Sequence, residues 1–305
     1  MRPVCRLDTP LFFTQNTHEI ANNRYRQSEK AEFQDRGVVK LNTAKCIRAK
    51  IIYSGKDVLK NRYLVFDENG IVGVKAKPEG RVVGECAVLT PAFIDPHSHI
   101  GVHRHGDPGA ECESNDTLDS IQPLPDVLDS IQMDDVAFRM AAECGTLYSC
   151  VMPGSANIIG GLSAVVRHDA PHTTAALIAR AGLKAALGYN VIAYGGKGTR
   201  PSTRRGAVAI LRARLNEVRS KTAKISAKQD GAAEQKDGAT ELNQEEQALK
   251  SVLDGETILR VHAHKTDDIA ALLRLVDEFK LRVSVEHAGD VCRPEIFVEI
   301  GRAHV

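Results

Sequence analysis

The alternation of apolar and polar residues divides the chain into stretches of different character. Residues 1–45 are polar and show no sustained apolar period, which predicts a poorly ordered N-terminal extension or a stretch that is not native to the protein. From residue 46 to 90, short runs rich in β-branched residues follow one another, and Asp67-Glu68-Asn69-Gly70 has the composition of a hairpin turn. This stretch predicts a small β-sheet module ahead of a larger domain.

After residue 90, strand-like and helix-like patterns alternate. A first strand starts at Phe93, and further strands are predicted at 146–152, 162–167, 183–187, 257–264 and 281–287. Helical spacing of apolar residues predicts helices at 134–144, 173–180, 202–221, 245–253 and 267–279. Residues 222–243 offer almost nothing to bury, which predicts a solvent-exposed insertion. Strands separated by helices favour an α/β fold with a mostly parallel sheet, whose chemistry lies at the carboxyl ends of the strands.

Composition excludes several function classes. The 305 residues include 40 Lys and Arg against 39 Asp and Glu, so net charge gives no general attraction to nucleic acid or to an anionic membrane. No apolar run approaches the roughly 18 residues of a membrane span. The 7 cysteines are scattered and include no Cys-x-x-Cys, which favours free thiols in a reducing compartment. We therefore expect a soluble, cytoplasmic protein.

The candidate chemistry is a set of histidines at strand ends. His97 and His99 are two residues apart where the first strand ends, so both rings can face one point, as a shared metal ion requires. His262 and His287 stand near the ends of two later strands. A single histidine at such a place is more often a packed or surface residue, but the recurrence predicts a common metal site.

Several other polar residues are candidates for substrate binding. Arg200 and Arg204 flank a Pro-Ser turn and could grip a carboxylate, or could belong to the basic face of the following helix. Ser155 and Asn157 are further candidates, because backbone amides of Pro153-Gly154-Ser155 and Gly160-Gly161 could lie close to a substrate anion; the alternative is that the glycines only form turns.

Three other features of the chain carry weaker signals. His264 shares a face with His262 and could orient substrate or replace it as ligand. His103 and His105 are interpreted as surface residues. The basic helix face carries Arg204, Arg205, Arg212, Arg214, Arg219 and Lys221 without aromatic partners, and so gives little support for nucleic-acid binding.

Several motifs together resemble the amidohydrolase superfamily. They are the segment Leu89-Thr90-Pro91-Ala92-Phe93-Ile94-Asp95-Pro96-His97-Ser98-His99, residues 152–161, residues 198–204 and residues 261–264. Within the family they are most similar to a subgroup related to imidazolonepropionases, although Ala92 stands where the usual motif has glycine. The resemblance covers residues 46 to 298. It implies a β-sandwich over 46–90 and a (β/α)8 TIM-like barrel over 91–298, of which about six strands are present.

The same resemblance implies a metal centre. It makes His97 and His99 ligands of the more buried ion, with His262 and His287 as ligands from barrel strands five and six. Lys184 lies where many relatives place a carboxylated lysine that bridges two metals; the alternative is a strand-end lysine that faces solvent. The implied cofactor is one or two divalent ions, with zinc expected. The general base would be an Asp after strand eight, which the sequence does not contain, so no catalytic residue is assigned.

The implied activity is hydrolysis of a C–N bond in an amide, a cyclic amide or a peptide-like molecule by metal-activated water. Deaminase-like and imidazolonepropionase-like relatives carry a proton-shuttling Glu where this chain has Lys265, a difference that favours hydrolysis of an amide or peptide-like bond over deamination. The alternative is an inactive barrel that serves as a binding or assembly scaffold. The expected partner is a small-molecule substrate, without nucleic acid or membrane, and the full-length protein could form a homo-oligomer.

The end of the chain gives a separate expectation. Residues 299–305 can be back-translated as read-through into a sequencing adapter, which predicts a non-native tail that includes His304. We expect the natural protein to continue and to supply the missing strands and the Asp. The 305-residue chain is therefore expected to be an inactive fragment.

Overall fold

The computed structural model describes residues 44–106, 108–116, 118–193, 200–229 and 241–290. The chain divides into two compact units, Met1–Ala92 and Phe93–Val305. The predicted extension before residue 44, the centre of the predicted insertion and the predicted tail 299–305 lie outside the described residues. Within them, no helix is long and apolar enough to cross a membrane, and Cys46, Cys86, Cys112, Cys144 and Cys150 are free thiols.

The first unit contains a four-stranded sheet. Its strands are β1 (Lys45–Tyr53), β2 (Val58–Asp67), β3 (Gly70–Lys75) and β4 (Arg81–Leu89), in the spatial order β3-β2-β1-β4. The predicted hairpin turn joins β2 to β3: the Asp67 carboxylate accepts from the Asn69 amide at 2.8 Å, and Gly70 takes a φ of 128°. Between residues 44 and 92 the structure describes this one sheet and no second layer of the implied sandwich.

The second unit is built on a six-stranded sheet in which neighbours in space are also neighbours in sequence. Its strands are β5 (Phe93–Ser98), β6 (Thr146–Val151), β7 (Ile159–Arg167), β8 (Leu177–Ala186), β9 (Leu259–Ala263) and β10 (Val283–His287). The edge strands β5 and β10 meet through a 2.7 Å contact between His97 and Glu286. The sheet therefore curls into a nearly closed, barrel-like form.

Helices pack on the outer face of this sheet. They are α1 (Val136–Glu143), α2 (Thr173–Ala176), α3 (Tyr189–Ala193), α4 (Arg204–Gln229), α5 (Gln244–Leu253) and α6 (Thr266–Phe279). Asn243 and Glu246 form a capping box that starts α5. Apolar residues of α4, α5 and α6, such as Leu211, Leu249 and Leu272, are fully buried in one core cluster with β8, β9 and β10. Side chains on these strands alternate between two faces. Those that do not join the apolar core face inward, where the polar groups lie.

The structure differs from the sequence predictions for this unit in three places. Three of the five strand pairings in the sheet are parallel, as a mostly parallel sheet predicts, but β7 runs antiparallel to both β6 and β8. The link 152–158 between β6 and β7 is shorter than the dozen or so residues that a parallel crossover needs, so the chain returns as an antiparallel strand. The sequence predicts that helix α4 ends at residue 221, where the insertion is expected to begin, but the helix continues to Gln229. The helix predicted at 173–180 is also shorter, since β8 already begins at Leu177.

A glycine inside β8 gives a test of this packing. Gly182 has a φ of +100°, and a Cβ there would lie 2.4 Å from the Ile258 carbonyl oxygen. Gly182→Ala should lower the free energy of unfolding by about 2–4 kcal/mol, through the left-handed backbone and the clash together. Urea unfolding followed by circular dichroism measures the loss. Gly106→Ala is the control, since Gly106 has a φ of +90° with nothing within 4 Å of the added Cβ. An equal loss in both variants would contradict the steric part of the argument.

Candidate metal centre

The first pair of histidines stands where β5 ends. His97 lies on the strand and His99 follows it, so side-chain alternation directs both rings to the same side. Their ring centroids are 5.3 Å apart. His97 Nδ1 lies 2.7 Å from Glu286 Oε2, and His99 Nδ1 lies 2.8 Å from the Met152 carbonyl oxygen. Each ring is therefore held through Nδ1.

Three further imidazoles come from the two strands at the other edge of the sheet. His262 lies on β9, His264 follows that strand, and His287 ends β10. The His262 ring centroid is 4.5 Å from those of His264 and His287, and the last two are 5.1 Å apart. His287 is also 4.5 Å from His97, which joins the two groups. The structure thus brings together the four histidines predicted as ligands, with His264 beside them.

The backbone at the end of β10 is strained. His287 and Ala288 have φ angles of +71° and +46°, in the left-handed region that residues with a Cβ seldom occupy. Such strain costs on the order of 1–3 kcal/mol and tends to collect at functional sites. Here it ends the strand at the residue whose ring joins the histidine cluster.

The hydrogen bonds determine where the protons of His97 and His99 lie. A carbonyl oxygen and an ionised carboxylate can only accept, so Nδ1–H is the donor in both rings. The Nε2 atom of a neutral imidazole then carries a free lone pair. His97 Nε2 is buried and has no hydrogen-bond partner in the described part of the chain. A buried polar atom without a partner is costly, which is why it calls for a ligand.

The spacing of the rings fits a divalent ion. Two imidazoles bound to one tetrahedral zinc at about 2 Å place their ring centroids roughly 5 Å apart. The ring pairs in the cluster range from 4.5 to 5.3 Å. Among the described residues, no three His, Cys, Asp or Glu side chains already stand in a closed metal cage. The donor set and its orphaned nitrogen therefore fit a metal, whereas closure of the cage would require side chains to move.

The surroundings of His99, His262 and His287 favour the neutral imidazole, which is the form that binds a metal. Burial lowers the pKa of His99. Burial, with the nearby Lys184, lowers the pKa of His262 to about 3. The pKa of His287 is also lowered, by partial desolvation and by the rings of His97 and His264, although this residue is more exposed than His262.

Lys184 lies inside the barrel-like sheet and not at its surface. It is fully buried, and its Nζ donates to the Gly154 carbonyl at 3.1 Å and to Ser155 Oγ at 2.9 Å. Burial lowers the pKa of Lys184 to about 7 against the opposing charge of Glu286. Ser155 Oγ lies 2.9 Å from His262 Nδ1, so this hydroxyl links the lysine to the histidine cluster. The alternative of a lysine that faces solvent is excluded.

Two site residues escaped the sequence reasoning. Glu286 contacts His97, and Arg260 donates from Nε to Glu286 Oε1 at 3.0 Å and from a terminal nitrogen to the Pro96 carbonyl at 2.8 Å. Burial alone would raise the pKa of Glu286, but hydrogen bonds from His97, Ser284 and Arg260 and the arginine charge outweigh it and lower the pKa to about 2. Polar residues alternating with Val261, Val283 and Val285 on two buried strands were the signal that could have revealed this inward face.

Two residues predicted to bind substrate donate hydrogen bonds to a loop. Asn157 Nδ2 donates to the carbonyls of Asp116 and Asp119 at 2.7 Å each. The Arg200 guanidinium donates to the same two carbonyls and to that of Ala156, at 3.1–3.4 Å. Both side chains therefore fasten the loop after β5 beside the end of β6, and their binding of substrate stays a prediction.

Arg204 lies apart from the histidine rings. Its guanidinium donates to the buried Asp268 carboxylate at 3.0 Å. Both residues line a cleft of about 660 Å³ between α4 and α6, and none of the cluster histidines lines it. His103 and His105 are exposed, as predicted. The structure thus gives Arg204 an ion-pair role between two helices.

Comparisons with known proteins show which folds and families the chain resembles. No protein-family model matches the chain. A solved amidohydrolase from Thermotoga maritima MSB8 superimposes with a TM-score of 0.70 at 25% identity, over 80% of this chain and 64% of that one. The amidohydrolase tasK of Hapsidospora irregularis is 27% identical over 250 residues. Both proteins are named amidohydrolases, and these matches support the amidohydrolase superfamily.

The amidohydrolase relatives are longer than this chain. The match to tasK covers 76% of this chain but 26% of that protein. A second solved structure, an N-acetyl-D-glucosamine-6-phosphate deacetylase from Mycobacterium smegmatis, aligns over 86% of this chain and 54% of the deacetylase chain. Its TM-score of 0.30 and identity of 13% make it too remote for a functional comparison. The chain therefore spans only part of the length of these relatives, and the matches support the superfamily and the fold.

Proposed function

We propose that the protein is a metal-dependent hydrolase of a C–N bond in a small amide, cyclic amide or peptide-like substrate. The observation that carries the proposal is the convergence of histidines from β5, β9 and β10. His97 and His99 have the proton fixed on Nδ1, and Nε2 of His97 is buried without a hydrogen-bond partner in the described part of the chain. The names of the two amidohydrolase relatives support this reaction class. The motifs at 152–161 and 261–264 favour the subgroup related to imidazolonepropionases.

His97, His99, His262 and His287 would hold one or two divalent ions, with zinc the expected metal and Lys184 a further candidate ligand. A bound ion of this kind supplies Lewis-acid polarisation of a carbonyl and acidifies water. The chain's own residues prepare the site. Glu286 and the Met152 carbonyl keep the protons of His97 and His99 on Nδ1, and the Lys184–Ser155 pair holds His262 Nδ1.

Glu286 is not assigned as the general base. Both of its oxygens are engaged, one by His97 and the other by Arg260 and Ser284, and its lowered pKa makes it a weak proton acceptor. His264 and His287 are the exposed rings of the cluster and are the groups best placed to meet an incoming substrate.

The test is a metal and activity assay on the full-length protein. Zinc content is measured by mass spectrometry after dialysis, and amine release is followed with a panel of N-acyl amino acids, dipeptides and cyclic amides. We expect one or two zinc ions per chain and release of amine from at least one class, lost on chelation and restored by zinc. Absence of bound zinc would overturn the metal site. Bound zinc without amine release from any class would overturn the hydrolase in favour of a binding or scaffold role.

A further inference from the structure

A buried chain of charged groups reaches the first histidine from the opposite edge of the sheet. Arg260 on β9 donates to Glu286 Oε1 on β10 at 3.0 Å, and Glu286 Oε2 lies 2.7 Å from His97 Nδ1 on β5. The side chain of Glu286 is 7% exposed, that of Arg260 16% and that of His97 15%. These three side chains therefore lie largely out of solvent, where charges interact strongly.

Glu286 is itself held in place on its far side. Ser284 Oγ donates to Glu286 Oε1 at 2.8 Å, alongside the Arg260 bond to the same oxygen. Arg260 also donates to the carbonyl of Pro96, the residue before His97. Because these contacts fix one carboxylate oxygen, the other is directed to a single atom, Nδ1 of His97.

The three buried or half-buried rings of the cluster differ in what holds Nδ1. His99 meets a backbone carbonyl and His262 a serine hydroxyl, whereas His97 meets a carboxylate. A carboxylate bound to Nδ1–H increases electron density on the ring, so Nε2 becomes a stronger donor. The nitrogen strengthened in this way is the buried Nε2 that has no partner in the described part of the chain.

We propose that Glu286, held by Arg260 and Ser284, is a positioning residue that fixes the orientation and proton of His97 and so raises the affinity of the centre for a divalent ion. The inference rests on the proposed function. The competing interpretation gives Glu286 only a structural role, as the partner of Arg260 that ties β9 to β10. The two interpretations differ in which measured quantity changes when the carboxylate is lost.

The experiment compares Glu286→Gln with wild type in the full-length protein. The Zn²⁺ dissociation constant is measured by competition with a chromophoric chelator, and thermal unfolding of the metal-free protein is measured in parallel. Glutamine keeps the shape and can still accept from Nδ1–H but lacks the charge, so zinc should bind about 10- to 100-fold more weakly. Cobalt substitution adds a spectroscopic readout, in which we expect a shift of the ligand-field bands.

Glu246→Gln is the matched control, because Glu246 is also a buried, ion-paired glutamate but pairs with Lys221 at the start of α5. It should lower stability and leave zinc affinity within about 2-fold of wild type. An unchanged zinc constant in Glu286→Gln, with lower stability alone, would overturn the inference and leave the metal site standing. If wild type itself binds no zinc, the proposed function fails first, so the two failures are distinguishable.

Discussion

Replacing both His97 and His99 with alanine should weaken Zn²⁺ binding by at least roughly 10³-fold. Proteins hold structural zinc with about 10–16 kcal/mol through four ligands, so the loss of two donors removes a large share of that energy. The effect should be large because these rings have their Nδ1 protons fixed by Glu286 and Met152 and are already oriented. Competition with a chromophoric chelator measures the affinity of the full-length variant.

His105→Ala is the control for this pair. His105 is also a histidine of the loop after β5, but its ring is exposed and its hydrogen bond to Asp135 uses the backbone amide. Its zinc affinity should match wild type within about 2-fold, because substitution of an exposed residue usually has a small effect. Equal zinc binding by the double variant and by His105→Ala would show that the metal is held elsewhere.

Lys184 should make the metal-free protein more stable as the pH rises. Its pKa is lowered from 10.5 to about 7, so between these values the unfolded chain binds a proton that the folded chain does not. Stability then rises with pH across this window, and the contribution is lost again as the pH falls toward 7. Measured as wild type minus Lys184→Met, the free energy of unfolding should increase by about 4 kcal/mol between pH 7 and pH 10.

Lys250→Met is the matched control for the pH experiment. Lys250 lies at the surface on α5 and pairs with Asp254, with its side chain 38% exposed. Urea unfolding at a series of pH values gives the difference for each variant. A wild-type minus Lys184→Met difference as flat as that for Lys250→Met would mean that the buried amine does not titrate freely, as expected if it were held as a carbamate.

These two experiments address different parts of the same site. His97 and His99 approach from β5, whereas Lys184 on β8 reaches His262 on β9 through Ser155. The charge of Lys184 acts on both His99 and His262. When the amine is neutral, its electrostatic repulsion of a cation bound near these rings disappears. A neutral amine, the main form above pH 7, is therefore compatible with a metal centre, and a charged one opposes it.

The local features of the chain were predictable from sequence. The His-x-His pair at a strand end, the hairpin turn at Asp67–Gly70 and helices such as α5 and α6 follow from periods and caps that depend on residues close together in the chain. Their bounds agree with the structure to within a few residues. The antiparallel direction of β7 was missed because strand-like composition does not encode direction, which the short link 152–158 determines.

The contacts that shape the centre depend on residues far apart in sequence. Glu286 lies 189 positions from His97, and Ser155 lies 107 from His262, so no local pattern connects them. The burial of Lys184 likewise follows from closure of the sheet around it. By itself the sequence determined the elements and the residue types able to bind a metal, because periodicity and turn chemistry act between near neighbours. Only the tertiary structure decided which groups hold those residues, because that depends on the strand faces that meet when the sheet curls.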